Sequence, residues 1–362
     1  ATVTGPIVDS DVVRSAAEGA LRTQLVTQSG ASIRFALPKE IGNLPAMQTR
    51  TYRVPVKASA PNAFDVEGWA NVVVRNASLD FVRESELWYC NYPENVTSPG
   101  TLFTARLRAN APARMLYHHI NQSPANLTLH VLVVNDSDSP AKLVLIPGDG
   151  DPDKNPVKAG YDAGDMFVRG WVQNTGEVLN VPPRSAVPVS LRRLRPLETA
   201  SGLCYLRLLA GGPESLLVRT DARPDFVPDS RLARALRSAT PWREVSARSA
   251  TEREQSEGVL SEHVYPEPFK EYEQVDFSVT DLFRALAIGE KPIQNGSGAK
   301  RLDGNFGVIY TFRLNLFNPT DRAANVEIVF ESSAGYTGGL FLINEKYKKT
   351  PLLQPRQRFE LE

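Results

Sequence analysis

The chain has 362 residues, 42% of them hydrophobic and 23% charged, which is ordinary for a globular protein able to build real cores. Lys plus Arg is 41 and Asp plus Glu is 41, so the formal net charge is zero. That balance argues against a nucleic-acid binder, whose affinity comes from neutralising phosphates, and it leaves little repulsion to keep copies apart. No apolar run approaches the ~20 residues of a membrane-spanning helix.

In chain order, residues 1–84 read as a β-rich N-terminal unit. Thr4 to Val8 is extended, and Val12, Val13, Ala16, Ala17, Ala20 and Leu21 recur at helical spacing, with Gly19 as a weak point. Ser32–Leu37 and Thr51–Val56 alternate apolar with polar residues, and Trp69–Val74 gives a further strand. Residues 85–220 read as a β-sandwich. Strands are expected at 101–108, 114–120, 127–134, 141–146, 187–191, 203–209 and 216–219, with a short helix over 163–172. Residues 221–274 read as a charged linker. Arg231, Arg234 and Arg237 would share a helix face there, followed by an acidic run from Glu252 to Glu273. Residues 275–362 read as a second sandwich, with strands at 275–279, 307–317, 325–330, 339–343 and 358–361.

One phrase occurs twice. Leu129–Leu145 reads LHVLVVNDSDSPAKLVL and Phe312–Ile328 reads FRLNLFNPTDRAANVEI. In each, a strand ends at an Asn (Asn135, Asn318), a Ser or Thr follows at the second place (Ser137, Thr320), then an Asp and a second strand. Asn, Ser and Thr side chains bond backbone two residues on and reverse the chain, so each copy is expected to be a β-hairpin. The match extends to Pro183-Arg184 and Pro355-Arg356. In the first copy, strands from Ser201 and Ser215 follow; in the second, the sequence reaches Glu362. The second sandwich is therefore expected to be short of its last strand or strands. An edge left open in that way is covered within the chain, is completed by strands of a longer chain from which this one was cut, or is paired with a strand from another copy, for which the uncharged extended stretch Ala1–Val8 is a candidate.

The strand–Asn-x-Ser/Thr-Asp-x-x-Ala–strand phrase resembles bacterial Ig-like modules of the cell-adhesion-related type. The resemblance covers 127–146 and 310–330. It implies an all-β fold of tandem Ig-like or jelly-roll sandwiches with a few short helices, and it assigns no binding residue.

Candidate chemistry is sparse. Asp149, Asp151, Asp153 and Asn155 alternate as hard oxygen ligands do in calcium loops, with Asp162 and Asp165 close behind. Lys154 and Gly160 stand where an EF-hand wants Gly and a bidentate Glu, so a polar turn leading into a helix competes with calcium. No other cofactor is implied. If 114–120 and 127–134 pair as a hairpin, His119 and His130 become diagonal neighbours, while His118 faces away. There is no G-x-S-x-G, and Gly296-Ser-Gly-Ala-Lys300 lacks the phosphate-loop spacing. Arg192, Arg193 and Arg195, and Lys346, Lys348 and Lys349, read as solvated basic patches. Trp69, Trp88, Trp171, Trp242, Tyr161 and Tyr205 are possible sugar platforms, with Trp69 and Trp171 expected in the core. Cys90 and Cys204 allow one disulfide or two buried thiols, the second being favoured. Asn-x-Ser/Thr sequons stand at Asn76, Asn95, Asn121, Asn126, Asn135 and Asn295.

The chain starts at Ala1 with no apolar signal core, so a mature form after leader removal and a boundary within a longer chain are both open. Turn-rich multi-module β chains are common outside cells, and a secreted or cell-surface protein is expected. The reading is non-enzymatic: a structural or adhesive subunit of a cell-surface assembly, self-associating through edge strands, with no nucleic acid and no membrane span. The alternatives are a carbohydrate-binding or accessory β-sandwich module, and a metal-dependent hydrolase using the Asp149–Asp165 region.

Overall fold

The computed structural model describes residues 1–25, 31–60, 63–225, 263–333 and 335–362. The protein is all-β, with two α-helices among the described residues. Strands β1 (Thr2–Thr4) and β2 (Ile7–Val8) lead into α1 (Ser10–Gln24). The helical spacing seen in the sequence is real: Val13, Ala16, Ala17 and Leu21 are all buried. Strands β3 (Ser32–Phe35), β4 (Leu44–Pro45), β5 (Thr49–Ser59) and β6 (Val66–Asn76) complete this region. Val3, Val8, Leu44, Tyr52, Val54, Val72 and Val74 pack with α1 into its core.

The sandwich is built from β7 (Glu86–Cys90), β8 (Asn95–Val96), β9 (Gly100–Arg108), β10 (Ala113–Asn121), β11 (Leu127–Asn135), β12 (Ala141–Ile146), α2 (Pro156–Val172), β13 (Gly176–Val181), β14 (Ser185–Leu194), β15 (Thr199–Leu208) and β16 (Ser215–Pro224). Then come β17 (Val264–Tyr265), β18 (Phe269–Ser278), β19 (Ile293–Gln294), β20 (Arg301–Leu302), β21 (Ile309–Phe317), β22 (Val329–Glu331), β23 (Leu340–Ile343), β24 (Lys346–Lys349) and β25 (Arg358–Glu360).

The larger sheet has 11 strands in the order β17-β7-β10-β15-β12-β13-β1-β6-β5-β3, with β8 on β10; the facing sheet runs β14-β11-β16-β9. Alternate residues of both sheets fill the space between them. Leu129, Val131 and Val133 of β11 meet Met115, Tyr117, Leu143, Leu206, Leu107, Leu216 and Val218. Full burial of each such side chain is worth about 1.5–3 kcal/mol relative to exposure. On the opposite face of the larger sheet, α2 seats Phe167 against Val144, Ile146, Val178 and Tyr205. The approach is close enough that a Cβ on Gly148 would lie 2.4 Å from Phe167 Cβ, so only glycine fits there.

Three expectations are corrected. First, the Asn135 turn does not make a hairpin. Strand β11 pairs with β14 and β16, whereas β12 pairs with β13 and β15, so the turn is an arch carrying the chain from one sheet to the other. Local turn chemistry reverses a chain whether or not its two arms then share hydrogen bonds. Second, residues 263–362 do not repeat the strand order of 85–220. There β18 pairs in parallel with β21, β22 pairs with β25 and β23 with β24. Third, the N-terminal stretch is not a spare strand. Strand β1 is hydrogen-bonded to β6 on one side and β13 on the other, and Val3 is fully buried. A strand so placed is unavailable to another copy, and it makes the sheet continuous from residue 2 into the sandwich.

Candidate functional site

The residues singled out by sequence mostly serve the fold. Asp149 is buried and accepts from Tyr117 Oη at 2.7 Å, Ser190 Oγ at 2.8 Å and Arg192 Nε at 2.8 Å. Asp151 is exposed. Asp153 pairs with Lys158 at 3.0 Å, and Asn155 caps α2 by accepting from the Val157 and Lys158 amides at 3.1 and 3.2 Å. An ion binding here would compete with Arg192 and Lys158 for the same oxygens. Among the described residues, no group of three or more His, Cys, Asp or Glu side chains converges as a metal site.

The histidines are not neighbours in the sense expected. His119 lies on β10 in the larger sheet and His130 on β11 in the smaller, since these strands do not pair. His119 is fully buried, with Nε2 3.1 Å from Cys90 Sγ and Nδ1 2.9 Å from the Pro93 carbonyl. Burial pushes this imidazole down to about 4, against the pull of the Pro93 bond. The Cys90 and Cys204 thiols are free and buried, and burial pushes both up to about 12. They flank β10 on β7 and β15, opposite Tyr117 and Met115. Two strand spacings, about 10 Å, exceed the reach of a disulfide. Neither the thiol nor the imidazole carries charge at neutral pH, so Cys90 and His119 are not an activated nucleophile pair.

Four of the six cations in the basic patches are ion-paired: Arg192 with Asp149, Arg193 with Asp225 at 2.6 Å, Lys348 with Glu362 at 2.9 Å and Lys349 with Asp165 at 2.9 Å, while Arg195 and Lys346 are exposed. Of the aromatic candidates, Trp88 and Tyr205 are buried, and Trp171 packs between Phe81, Phe167 and Phe269. Tyr161 bonds the Thr350 carbonyl. Trp69, expected in the core, is 63% exposed, with the Arg53 guanidinium 4.6 Å from its ring centre. Trp242, the Arg231–Arg237 face and Glu252 to Glu262 lie outside the described residues.

Sequence reasoning missed the node that joins the last hundred residues to the sandwich. Arg114, fully buried on β10, donates from Nε and Nη2 to Glu84 Oε1 at 3.0 and 2.9 Å. Its Nη1 donates to the carbonyls of Pro268 and Gly307 at 3.1 and 2.7 Å. Phe269 and Trp171 box the guanidinium at 4.7 and 5.5 Å, and Trp171 Nε1 donates to Glu84 at 2.9 Å. A second contact runs along α2, where Tyr347 and Lys349 donate to Asp165. Glu84 and Arg114 stand 30 positions apart, and no local pattern marks them as a pair.

What the last region presents outward is an apolar strand face. In β21, Tyr310, Phe312, Leu314 and Leu316 share one side, since successive residues of a strand alternate. Their β18 neighbours in register are Val275 and Phe277, and Tyr272 stacks on Phe312 with ring centres 4.7 Å apart. Leu314, Leu316 and Phe317 are 37%, 57% and 63% exposed. Nearby in sequence, Leu282, Phe283 and Ile288 are exposed as well.

The two turns of the repeated phrase are nonetheless built alike. Asn135 Oδ1 accepts from Ser137 N and Oγ at 3.1 and 2.7 Å; Asn318 Oδ1 accepts from Thr320 N and Oγ1 at 3.0 and 2.7 Å. Asn135 Nδ2 donates to the Ser139 carbonyl and Asn318 Nδ2 to the Arg322 carbonyl, at 2.8 and 2.7 Å. Arg184 and Arg356 both adopt the left-handed backbone, at φ 50° and 65°. Asn121 with Ser123 and Ala125 forms a third such turn.

Comparison with protein-family models finds no match, and comparison with curated proteins finds none either. Among solved structures, one described as the structural basis for the promiscuous specificity of carbohydrate-binding modules of the β-sandwich superfamily aligns over 54% of this chain and 86% of its own. The identity is 10% and the TM-score 0.15, a likeness too slight to bear on what the chain does. The β-sandwich class rests on the strands themselves, and among the described residues no helix is long and apolar enough to cross a membrane.

Proposed function

We propose that this is a non-enzymatic β-sandwich protein that works by surface contact, an extracellular structural or adhesive subunit that self-associates through residues 275–362. One observation carries the reading. Phe312, Leu314 and Leu316 occupy the positions of Leu129, Val131 and Val133 in the repeated phrase. The first-copy residues are at most 1% exposed, whereas Leu314 and Leu316 are 37% and 57% exposed. A core-type pattern left facing water is a contact surface in waiting. The zero net charge offers no long-range barrier to like copies. The resemblance of the Asn-turn phrase to adhesion-related Ig-like modules supports the same class, with 85–220 as the sandwich and 275–362 as the region that presents the contact face. Sedimentation velocity of the full chain across a wide concentration range tests it: we expect association that grows with concentration, and a single monomer boundary throughout would count against self-association.

A second reading is favoured by Trp69, whose exposed ring on the open face of β6 is suited to stacking on a sugar. Binding on a glycan array that disappears in Trp69→Ala is its expected signature, and equal binding by both proteins removes it.

A further inference from the structure

We infer that two copies of this chain pair antiparallel through the free edge of β21, across a two-fold axis that sets Leu314 opposite its own counterpart. This rests on the self-association proposed above and names its surface and geometry.

One edge of β21 is bonded to β18, and among the described residues no strand occupies the other. The counterpart strand β11 has an antiparallel neighbour on both edges, β14 and β16. The usual protections of an edge strand are thin here. Residues 309–317 contain no proline and no glycine, and Arg313 is their one charge. An unprotected apolar edge of this length is a template for another strand.

The occupant and register follow from the side chains. In antiparallel pairing, residues directly opposite face the same side, so the apolar set Phe312, Leu314 and Leu316 must meet an apolar set. The same strand in a second copy supplies one. Centring the two-fold at Arg313 would put like charges face to face, which is destabilising. Centring it at Leu314 sets Leu314 against Leu314, Phe312 against Leu316 and Arg313 against Asn315. Asn315 Nδ2 bonds Asp276 Oδ1 at 2.8 Å, so each guanidinium then meets the neighbourhood of a carboxylate. This register also covers the end of the apolar face that most needs it, since exposure rises from Leu314 to Leu316. Because the contact is isologous, it closes: the product is a dimer with one sheet, β18-β21-β21-β18, running through it, and not a filament.

The test is cysteine cross-linking in the full chain, where the native Cys90 and Cys204 are buried and silent. Under mild oxidation, Leu314→Cys is expected to give a disulfide-linked dimer. Phe312→Cys and Leu316→Cys are each expected to fail alone and to cross-link when mixed. Leu314→Lys and Leu316→Lys, both at exposed positions, are expected to keep the wild-type melting curve and lose the dimer. A monomeric wild type overturns this proposal together with self-association. Association that persists in both lysine variants, with no Leu314→Cys cross-link, overturns this edge alone and leaves self-association to another face; filaments overturn it likewise.

Discussion

Strands β11 and β21 carry the same phrase and lead separate lives. Strand β11 lies inside the four-stranded sheet, with Val131 and Val133 fully buried. Strand β21 lies on a two-stranded ribbon with Leu316 and Phe317 more than half exposed. The turns that close them share the same hydrogen bonds to within a few tenths of an ångström. The comparison teaches that turn chemistry is encoded within a few residues, whereas burial is conferred by whatever packs alongside. A strand's alternation states what it needs, and only tertiary neighbours supply it.

The comparison can be broken most decisively by a charge. Val131→Asp places an unpaired carboxylate in the closed core and is expected to cost about 4 kcal/mol or more, enough to unfold the sandwich. Leu314→Asp is expected to change stability by about 1 kcal/mol or less, as for exposed positions. Equal losses in urea melts would mean that β21 is as enclosed as β11.

Acid gives the next largest contrast. His119 sits at about 4 in the folded chain against 6.5 for the free side chain, because burial disfavours its charged form. Below 6.5 the unfolded chain takes up a proton that the folded chain refuses. Stability is therefore present in full above about 6.5 and is lost as pH falls toward about 4, by up to roughly 3 kcal/mol. His118, also lowered by burial, adds in the same direction. Residues 264–362 contain no histidine, so melting temperature should fall across this window while the association constant holds. In His119→Gln the slope of melting temperature against pH should flatten.

The turns themselves offer a finer test. Asn135→Ala removes a fully buried amide whose Nδ2 also reaches the Val181 carbonyl across the arch, and is expected to cost about 2 kcal/mol. Asn318→Ala removes the same local bonds at an exposed site, and about 0.5 kcal/mol is expected. The smallest effect concerns calcium. Because Asp149 and Asp153 already hold Arg192 and Lys158, added calcium or chelator is expected to leave the melting temperature unmoved; a rise on adding calcium would restore the metal reading.

Much of this was legible in the sequence, for reasons that also explain what was not. The spacing of Val13, Ala16, Ala17 and Leu21 foretells α1 because a helix buries one stripe. Strands such as Ala141–Ile146 are visible as apolar runs between turns. The first half of α2 is masked by the acidic residues before it, which suggest oxygen ligands; Asn155 followed by Pro156 is the signal of a helix start. The apolar surroundings of Trp69 point to the core, yet it shares strand parity with Asn71 and Arg75, and parity decides which face a residue takes. Nothing local could tell that β11 and β12 belong to different sheets, or that Arg114 would find Glu84. Those pairings are long-range, and the sequence between them does not record them.

The Asn-closed turns carry a practical consequence for making the protein. Asn76, Asn121 and Asn135 each sit in a glycosylation sequon, and each spends its amide on two backbone carbonyls in a fully buried position. A eukaryotic secretory host that attached oligosaccharide to these nitrogens during synthesis would leave the strands unable to close. Asn95, exposed on β8, tolerates a sugar. Yield from such a host should recover when Ser78, Ser123 and Ser137 are changed to residues the transferase ignores, in proportion to how little each turn relies on its hydroxyl.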